Sequence, residues 1–227
     1  MASGATAVQD LLDNVLPRRS NVPESDRQVR VIAGESNRYV VRLASHNGQV
    51  MLQRNDLPVA GLRIEFRCTH DSAENYLAVQ RSTFELLSAS DRTPLLRLDY
   101  DRAAHTVPTA HWNVHAERGA ISHLLATTNP DHAGVLSKLH LPVGGSRMRP
   151  CLEDFIEMVV REFRVDTRSG AVARLEAGRE TWRVKQTAVV ARDAPTEVAR
   201  VLRDLGYEVI EPTAGPAPTN TTVLRRR

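Results

Sequence analysis

The sequence predicts an α+β protein in which an antiparallel, meander-like sheet is followed by C-terminal helices packed on one face of the sheet. Between residues 28 and 141, apolar and polar residues alternate in short runs, which is typical of strands with one buried face. Beyond Pro150 the apolar residues recur at helical spacing. Of the 227 residues, 41% are hydrophobic and 25% are charged, which excludes a mostly disordered chain.

The N-terminal segment predicts a helix over Ala5–Leu16, because its apolar residues are spaced three and four apart and Pro17 ends the pattern. The final segment contains three prolines, four threonines and a triple-arginine end, which favour a flexible tail. The predicted organisation is therefore an N-terminal helix (1–20), a single α+β domain (21–211, with its sheet in 28–141 and its helices in 151–205) and a tail (212–227).

The clearest strand candidate is Leu62–Thr69, in which Leu62 and Ile64 begin a regular alternation with charged residues. Asn47-Gly48 is typical of a two-residue hairpin turn. The period of two predicts further strands at Gln28–Ile32, Arg38–Leu43, Val50–Gln53, Tyr76–Arg81, Phe84–Leu86, Leu95–Asp101, Ala110–Ala116, Ser137–Leu141 and Tyr207–Ile210.

Three C-terminal helices are predicted from the spacing of apolar residues, at Leu152–Phe163, Ser169–Val190 and Thr196–Leu205, with Gly206 as a stop. The second carries several arginines. They could contact nucleic acid, but the glutamates interleaved with them favour an ordinary solvated face. A helix–turn–helix pattern and a concentrated basic patch are missing, which argues against a DNA-binding regulator.

The first residues, the length of the apolar runs and the two cysteines indicate the cellular compartment. The first residues have no apolar signal-peptide core, and no apolar run approaches the length of a membrane span. We therefore expect a cytoplasmic protein without a membrane partner. Cys68 and Cys151 lie within apolar patterns, which predicts buried thiols in a reducing compartment.

Six of the eight histidines fall between His105 and His140. Strand periodicity places His111 and His115 on one face of their strand, opposite Trp112. The same argument pairs Arg97 with Asp99 and Lys138 with His140 on their strands. If these three strands are neighbours, their polar side chains converge on one surface.

The residue types on this surface suit chemistry at a phosphate, either phosphodiester cleavage or phosphoryl and nucleotidyl transfer. Imidazoles exchange protons near neutral pH, and a carboxylate can orient a histidine or help to hold a divalent metal. We predict catalytic or metal-binding roles for Asp99, His111 and His115, and phosphate binding by Arg97, Lys138, His140, Arg147 and Arg149. The alternative is a solvated sheet face whose charges are only cross-strand partners.

The order LRLDYD, AHWNVH, LHLP and RPCLEDFIEMVVREF resembles the TumE-like small toxins of bacterial toxin–antitoxin loci. The resemblance covers residues 95–163, about a third of the chain. It implies a toxin that acts on RNA or nucleotides, and it points to Arg97, Asp99, His111 and His115. The Arg/Ala/Val-rich, lysine-poor composition is typical of actinobacterial proteins.

A non-catalytic function is the alternative hypothesis. The chain has no glycine-rich phosphate loop and no serine or cysteine in a recognisable nucleophile setting. Several short strands could leave unpaired edges. These features favour a protein–protein interaction module, such as an antitoxin-like or phage-encoded partner.

Overall fold

The computed structural model describes residues 2–18, 23–70, 77–89, 94–115, 135, 141–143 and 147–226. Within these residues, eight strands form one sheet: β1 (Val29–Ala33), β2 (Arg38–Leu43), β3 (Gln49–Arg54), β4 (Leu57–His70), β5 (Leu77–Ser88), β6 (Pro94–Asp101), β7 (Ala110–Val114) and β8 (Leu141–Pro142). The helices are α1 (Ala2–Val15), α2 (Glu24–Arg27), α3 (Leu152–Phe163), α4 (Ala171–Asp193), α5 (Pro195–Asp204) and α6 (Thr221–Leu224).

Every strand pair among the described residues is antiparallel, and three of the four longer helices follow the sheet in the chain, which confirms the predicted α+β class. The sheet order is β1-β2-β4-β5-β6-β7-β8. The long strand β4 pairs along one edge with both β2 and β3 and along the other with β5. It is therefore the central strand from which the sheet extends in both directions.

The hairpin expected at Asn47-Gly48 was wrong, because β2 and β3 each pair with β4. A two-residue hairpin turn occurs instead at Asn55-Asp56, between β3 and β4, and a turn centred on Ser36-Asn37 joins β1 to β2. All four of these residues have φ between 51° and 62°. Asn and Asp tolerate this left-handed conformation, which matches the twist of a hairpin.

Two further strand predictions differ from the structure. Of the candidates Tyr76–Arg81 and Phe84–Leu86, residues 77–81 and 84–86 belong to the single strand β5, which continues through the residues between them, and Tyr76 lies outside the described residues. The candidate Tyr207–Ile210 was wrong, because these residues form no strand. Of the candidate Ser137–Leu141, residues 137–140 lie outside the described residues.

The core lies between one face of the sheet and the helices. Leu62 and Ile64 are fully buried, as are Leu12 on α1 and Phe155 on α3. Phe155 stacks on Trp112 with a ring-centroid distance of 5.5 Å. Because α1 shares this core, the N-terminal helix packs with the domain that follows it.

Both cysteines are buried and unbridged, as the sequence predicts. Burial raises the pKa of Cys68 to about 11, and burial also raises the pKa of Cys151. Neither thiol is therefore a thiolate at neutral pH, which argues against a nucleophilic role.

Near the middle of the arginine-bearing helix α4, Arg179 forms ion pairs that pack this helix against α3. Arg179 donates from Nε to Asp154 on α3 at 2.6 Å, and it also contacts Glu157. Burial opposes ionisation of Asp154, but hydrogen bonds from Cys151 and Arg179 outweigh it and lower the pKa of the carboxyl group. This ion-pair network joins α3 to α4, so Arg179 acts in the fold.

The C-terminal segment makes specific contacts with the domain. The backbone N–H of Asn220 donates to the carbonyl oxygen of Asp193 at 2.8 Å, and Arg226 donates to the carbonyl oxygen of Arg102 at 2.7 Å. None of the helices in the described ranges combines the length and apolar character needed to cross a bilayer.

A buried guanidinium closes the C-terminal end of α1. Arg27 donates to the carbonyl oxygens of Leu12, Leu16 and Pro17, and its Nε bonds the Asp13 carboxylate at 3.1 Å. The Leu12 carbonyl also accepts from the backbone N–H of Leu16, whereas the carbonyls of Leu16 and Pro17 lie beyond the last helical turn and need an external donor. Burial lowers the pKa of Arg27, although the Asp13 charge opposes that shift. Arg27 thus satisfies the helix end and connects α1 to β1.

Replacing this cap tests its contribution. We expect Arg27→Met to lower the free energy of unfolding by about 2–4 kcal/mol, because it leaves buried carbonyls and part of the Asp13 charge unpaired. The matched control is Arg18→Met, since Arg18 also pairs with Asp13 but is half exposed. Its loss should lower the free energy by less than about 1 kcal/mol. Equal losses in urea denaturation of the two variants would contradict the capping role.

Candidate active site on the polar sheet face

Two adjacent strands, β6 and β7, bring the predicted residues Arg97, Asp99, His111 and His115 onto one sheet face. Asp99 on β6 is opposite His111 on β7, and Arg97 is opposite Asn113. Alternation turns these side chains away from Leu98 and Trp112, which pack on the helices. The polar side chains of β5–β7 therefore share the surface opposite the helices, which we call the polar face.

Asp99 is the centre of hydrogen bonding on the polar face. Its Oδ2 accepts from Arg97 Nε at 2.6 Å and from Asn113 Nδ2 at 2.8 Å, and its Oδ1 accepts from Thr83 Oγ1 at 3.1 Å. Three donors on three strands hold the carboxylate in place. Asp99 is therefore built to position Arg97 and Asn113, and its oxygens are already engaged.

His111 is buried, with 4% of its surface exposed, and a hydrogen bond at Nδ1 orients its ring. Nδ1 lies 2.7 Å from the carbonyl oxygen of Pro108, so that nitrogen carries the proton. Nε2 lies 3.9 Å from Asp99 Oδ2. This geometry orients His111 as a neighbour of Asp99 and sets its tautomer.

Two polar atoms on the polar face are buried and have no hydrogen-bond partner among the described residues: Asn113 Oδ1 and His115 Nε2. Their residues are two apart, so the side chains point the same way. A buried polar group without a partner destabilises the fold by about 1–3 kcal/mol. A ligand that donates to Asn113 and bonds to His115 would satisfy both atoms.

The pKa of His115 is lowered, first by burial and second by the positive charge of Arg97. Glu85 and Asp99 oppose the shift with smaller effects. His115 is thus neutral at pH 7, and a neutral imidazole can accept a proton. Arg97 is about one-third exposed, so its guanidinium combines contact with Asp99 and access to solvent.

Sequence reasoning missed Glu85 and Arg63, which extend the polar face onto β5 and β4. Glu85 is buried, lies opposite Arg97, and accepts from Arg63 at 2.7 Å. The polar positions of β4 and β5 carried a signal for this pair, because opposite charges favour neighbouring strands. The ion pair between Arg63 and Glu85 therefore adds further charges next to Arg97 on the polar face.

Arg147 and Arg149, predicted to bind phosphate with this group, lie elsewhere. Arg147 forms a two-bond ion pair with the buried Asp193 at the end of α4, at 2.6 and 3.3 Å. Arg149 lies over the ring of Tyr100, which faces the helices. The structure therefore does not bring these arginines to the polar face. Lys138 and His140 lie outside the described residues.

The divalent-metal role suggested for Asp99, His111 and His115 is not supported by their placement. The described ranges contain no group of three histidine, cysteine or acidic side chains positioned to hold a metal ion. The donors on Asp99 already occupy the oxygens that a cation would need. The group is arranged for hydrogen bonding.

Comparisons of the chain with models of protein families, with curated proteins and with solved structures find no match.

The Arg97 charge provides a test of the electrostatics at His115. We expect Arg97→Met to raise the pKa of His115 towards its ordinary value of about 6.5, because one of the two causes of the shift is removed. An NMR titration of the imidazole measures this change. An unaltered His115 pKa in the folded variant would contradict the coupling.

The lowered pKa of His115 also predicts how the free energy of unfolding depends on pH. Because the pKa of His115 is lower in the folded protein, the unfolded chain binds the proton more readily. Stability contributed by neutral His115 is therefore complete above pH 6.5 and is lost as the pH falls from that value through the lower pKa of the folded state. His115→Gln should flatten the pH dependence of the unfolding free energy between pH 5 and 7. An unchanged slope would contradict this contribution.

Proposed function

We propose that the protein binds RNA or a related nucleotide at the polar face and cleaves a phosphodiester bond there. The observation that carries the proposal is the pair of unsatisfied buried atoms, Asn113 Oδ1 and His115 Nε2, beside the Arg97 guanidinium. A ribose hydroxyl can both donate and accept hydrogen bonds, and a phosphate pairs well with a guanidinium. The resemblance of residues 95–163 to the TumE-like toxins is in keeping with this substrate class.

The proposed reaction uses the neutral form of His115. Its free ring nitrogen takes the proton from a ribose 2′-hydroxyl, and the 2′-oxygen then attacks the adjacent phosphorus. The bond from phosphorus to the 5′-oxygen breaks, and that oxygen takes a proton from solvent. Arg97 neutralises charge on the phosphate oxygens as it develops. The products are a 2′,3′-cyclic phosphate and a 5′-hydroxyl end.

Asp99 and His111, the other residues predicted for this site, act by positioning their neighbours. Asp99 holds the guanidinium of Arg97 at 2.6 Å and the amide of Asn113 at 2.8 Å. His111 is buried behind these groups and contacts Asp99, so we assign it as a positioning residue. The proton exchange first predicted for both histidines is thereby assigned to His115.

Cleavage of a short single-stranded RNA tests the proposal, with its 2′-deoxy counterpart as the substrate control. We expect cleavage of the RNA alone, because the deoxy strand lacks the attacking hydroxyl. His115→Gln and Arg97→Met should each lower the rate at least a hundredfold, within the range of lost acid–base or electrostatic catalysis. Chromatography should identify the cyclic phosphate product.

Arg81→Met is the matched control, because Arg81 extends from the neighbouring strand β5 but pairs with Asp101 at 2.8 Å, away from His115. It should leave the cleavage rate within about threefold of the unmodified protein. Cleavage of the deoxy strand, or full activity in the folded His115→Gln variant, would contradict the proposed reaction.

A second candidate function is non-catalytic binding of a partner protein. Helix α5 buries none of its residues, and the chain after it exposes Leu205, Tyr207 and Ile210, of which Ile210 is 86% exposed. Clustered exposed apolar side chains mark interaction surfaces. We propose this surface as the contact site should the polar face prove inactive.

A photo-crosslinking amino acid at Ile210, introduced in the host cell, tests this second function. We expect one predominant protein adduct, whose purified form binds the chain at least tenfold more weakly after Leu205→Asp. The control is Arg203→Met, an exposed change in the last turn of α5, the helix that precedes Leu205. Equal binding by the Leu205→Asp variant and the unmodified protein would contradict the assignment.

A further inference from the structure

A cavity of about 440 Å³ lies on the helix side of the sheet, between α1, α4 and the start of α3. Its lining includes the aromatic residues Phe66, Phe84 and Trp182. The volume falls within the range of small-molecule sites, which are mainly apolar with a few polar groups. The sheet separates this cavity from the polar face, so any ligand here is independent of the proposed reaction.

Arg149 contributes an unpaired positive charge to this cavity. Its Nε is buried and has no hydrogen-bond partner, and no ion pair involves Arg149 within the described part of the chain. The guanidinium carbon lies 3.8 Å from the centre of the Tyr100 ring and 5.7 Å from that of Trp182. Burial lowers the pKa of Arg149. Aromatic rings partly stabilise the cation, but they leave the Nε–H donor without a hydrogen-bond partner among the described residues.

The surrounding charges favour an anion with a single negative charge. Three basic side chains line the cavity, Arg149, Arg174 and Lys185, and Asp10 and Glu153 are its two acidic residues. Arg174 and Lys185 are exposed, while Arg149 lies inside. The excess of positive charge is therefore small, and its buried part is one guanidinium.

We infer that this cavity binds an organic monocarboxylate with an apolar ring or short acyl chain. The carboxylate pairs with the N–H donors of Arg149, and the apolar part lies among Phe66, Phe84 and Trp182. Phosphate fits less well, because a dianion loses more hydration on burial and meets two carboxylates nearby. A carboxylic acid with an apolar group would pair with the Arg149 charge and match the aromatic lining of the cavity.

The two tryptophans of the chain provide an internal control for binding to the unmodified protein. Trp182 lines the cavity, whereas Trp112 stacks on Phe155 in the core. Titration with benzoate and with octanoate should shift the indole N–H signal of Trp182 saturably and leave that of Trp112 in place. Trp182→Phe assigns the two signals. Benzyl alcohol and inorganic phosphate serve as the uncharged and inorganic controls.

Arg149→Met keeps an unbranched stem and removes the guanidinium charge, so it should lower the affinity for both carboxylates at least tenfold. Arg183→Met is the matched control, because Arg183 lies on the same helix but does not line the cavity. It should change the affinity less than twofold. Should Arg149→Met fail to fold, the comparison of benzoate with benzyl alcohol in the unmodified protein decides the matter.

Several results would overturn the inference. One is a Trp182 signal unmoved by either carboxylate. Another is equal binding of benzyl alcohol and benzoate, which would show an apolar cavity without charge recognition. Saturable binding of phosphate in place of the carboxylates, or unchanged carboxylate affinity in folded Arg149→Met, would also contradict it.

Discussion

The alternation of side chains along β4, β5 and β6 is the constraint on which both surfaces of the sheet depend. Residues such as Leu62, Phe84 and Leu98 are buried towards the helices, and the charged residues between them must then point the opposite way. A shift of one residue in strand pairing would place these charges in the core. Burial of the apolar face therefore also fixes where Asp99 and its partners lie.

The two faces of the sheet differ in the partners that surround their buried charged side chains. On the polar face, Asp99 is satisfied by donors from its own strand and from both neighbouring strands, so the carboxylate and its partners hold one arrangement. On the helix side, Arg149 is held between aromatic rings and has no carboxylate partner among the described residues. The first arrangement positions Arg97 beside the neutral His115, and the second leaves donors available to an anion. The two proposed sites follow from this difference.

Much of this architecture could be predicted from local patterns. The alternation in Leu62–Thr69 and the helical spacing in Leu152–Phe163 identified β4 and α3, because each element buries one face over several residues. Strand pairing could not be predicted in the same way: Asn47-Gly48 has hairpin chemistry, but the pairing of both β2 and β3 with β4 depends on distant contacts. Arg147 was misplaced for a related reason, since nothing near it in the sequence indicates that Asp193 is its partner. By contrast, the shared face of Arg97, Asp99 and His111 required only the period of two and neighbouring strands.

The most direct test of the account is an NMR comparison of the protein with and without a short single-stranded RNA, observed at side chains of the polar face. The side-chain amide signals of Asn113 and the imidazole signals of His115 should shift together and saturate, because Asn113 Oδ1 and His115 Nε2 have no hydrogen-bond partner among the described residues. Signals from the residues of β1 should stay in place. If RNA shifts only signals from the exposed arginines of α4, or shifts none, then the polar face is not the nucleic-acid site.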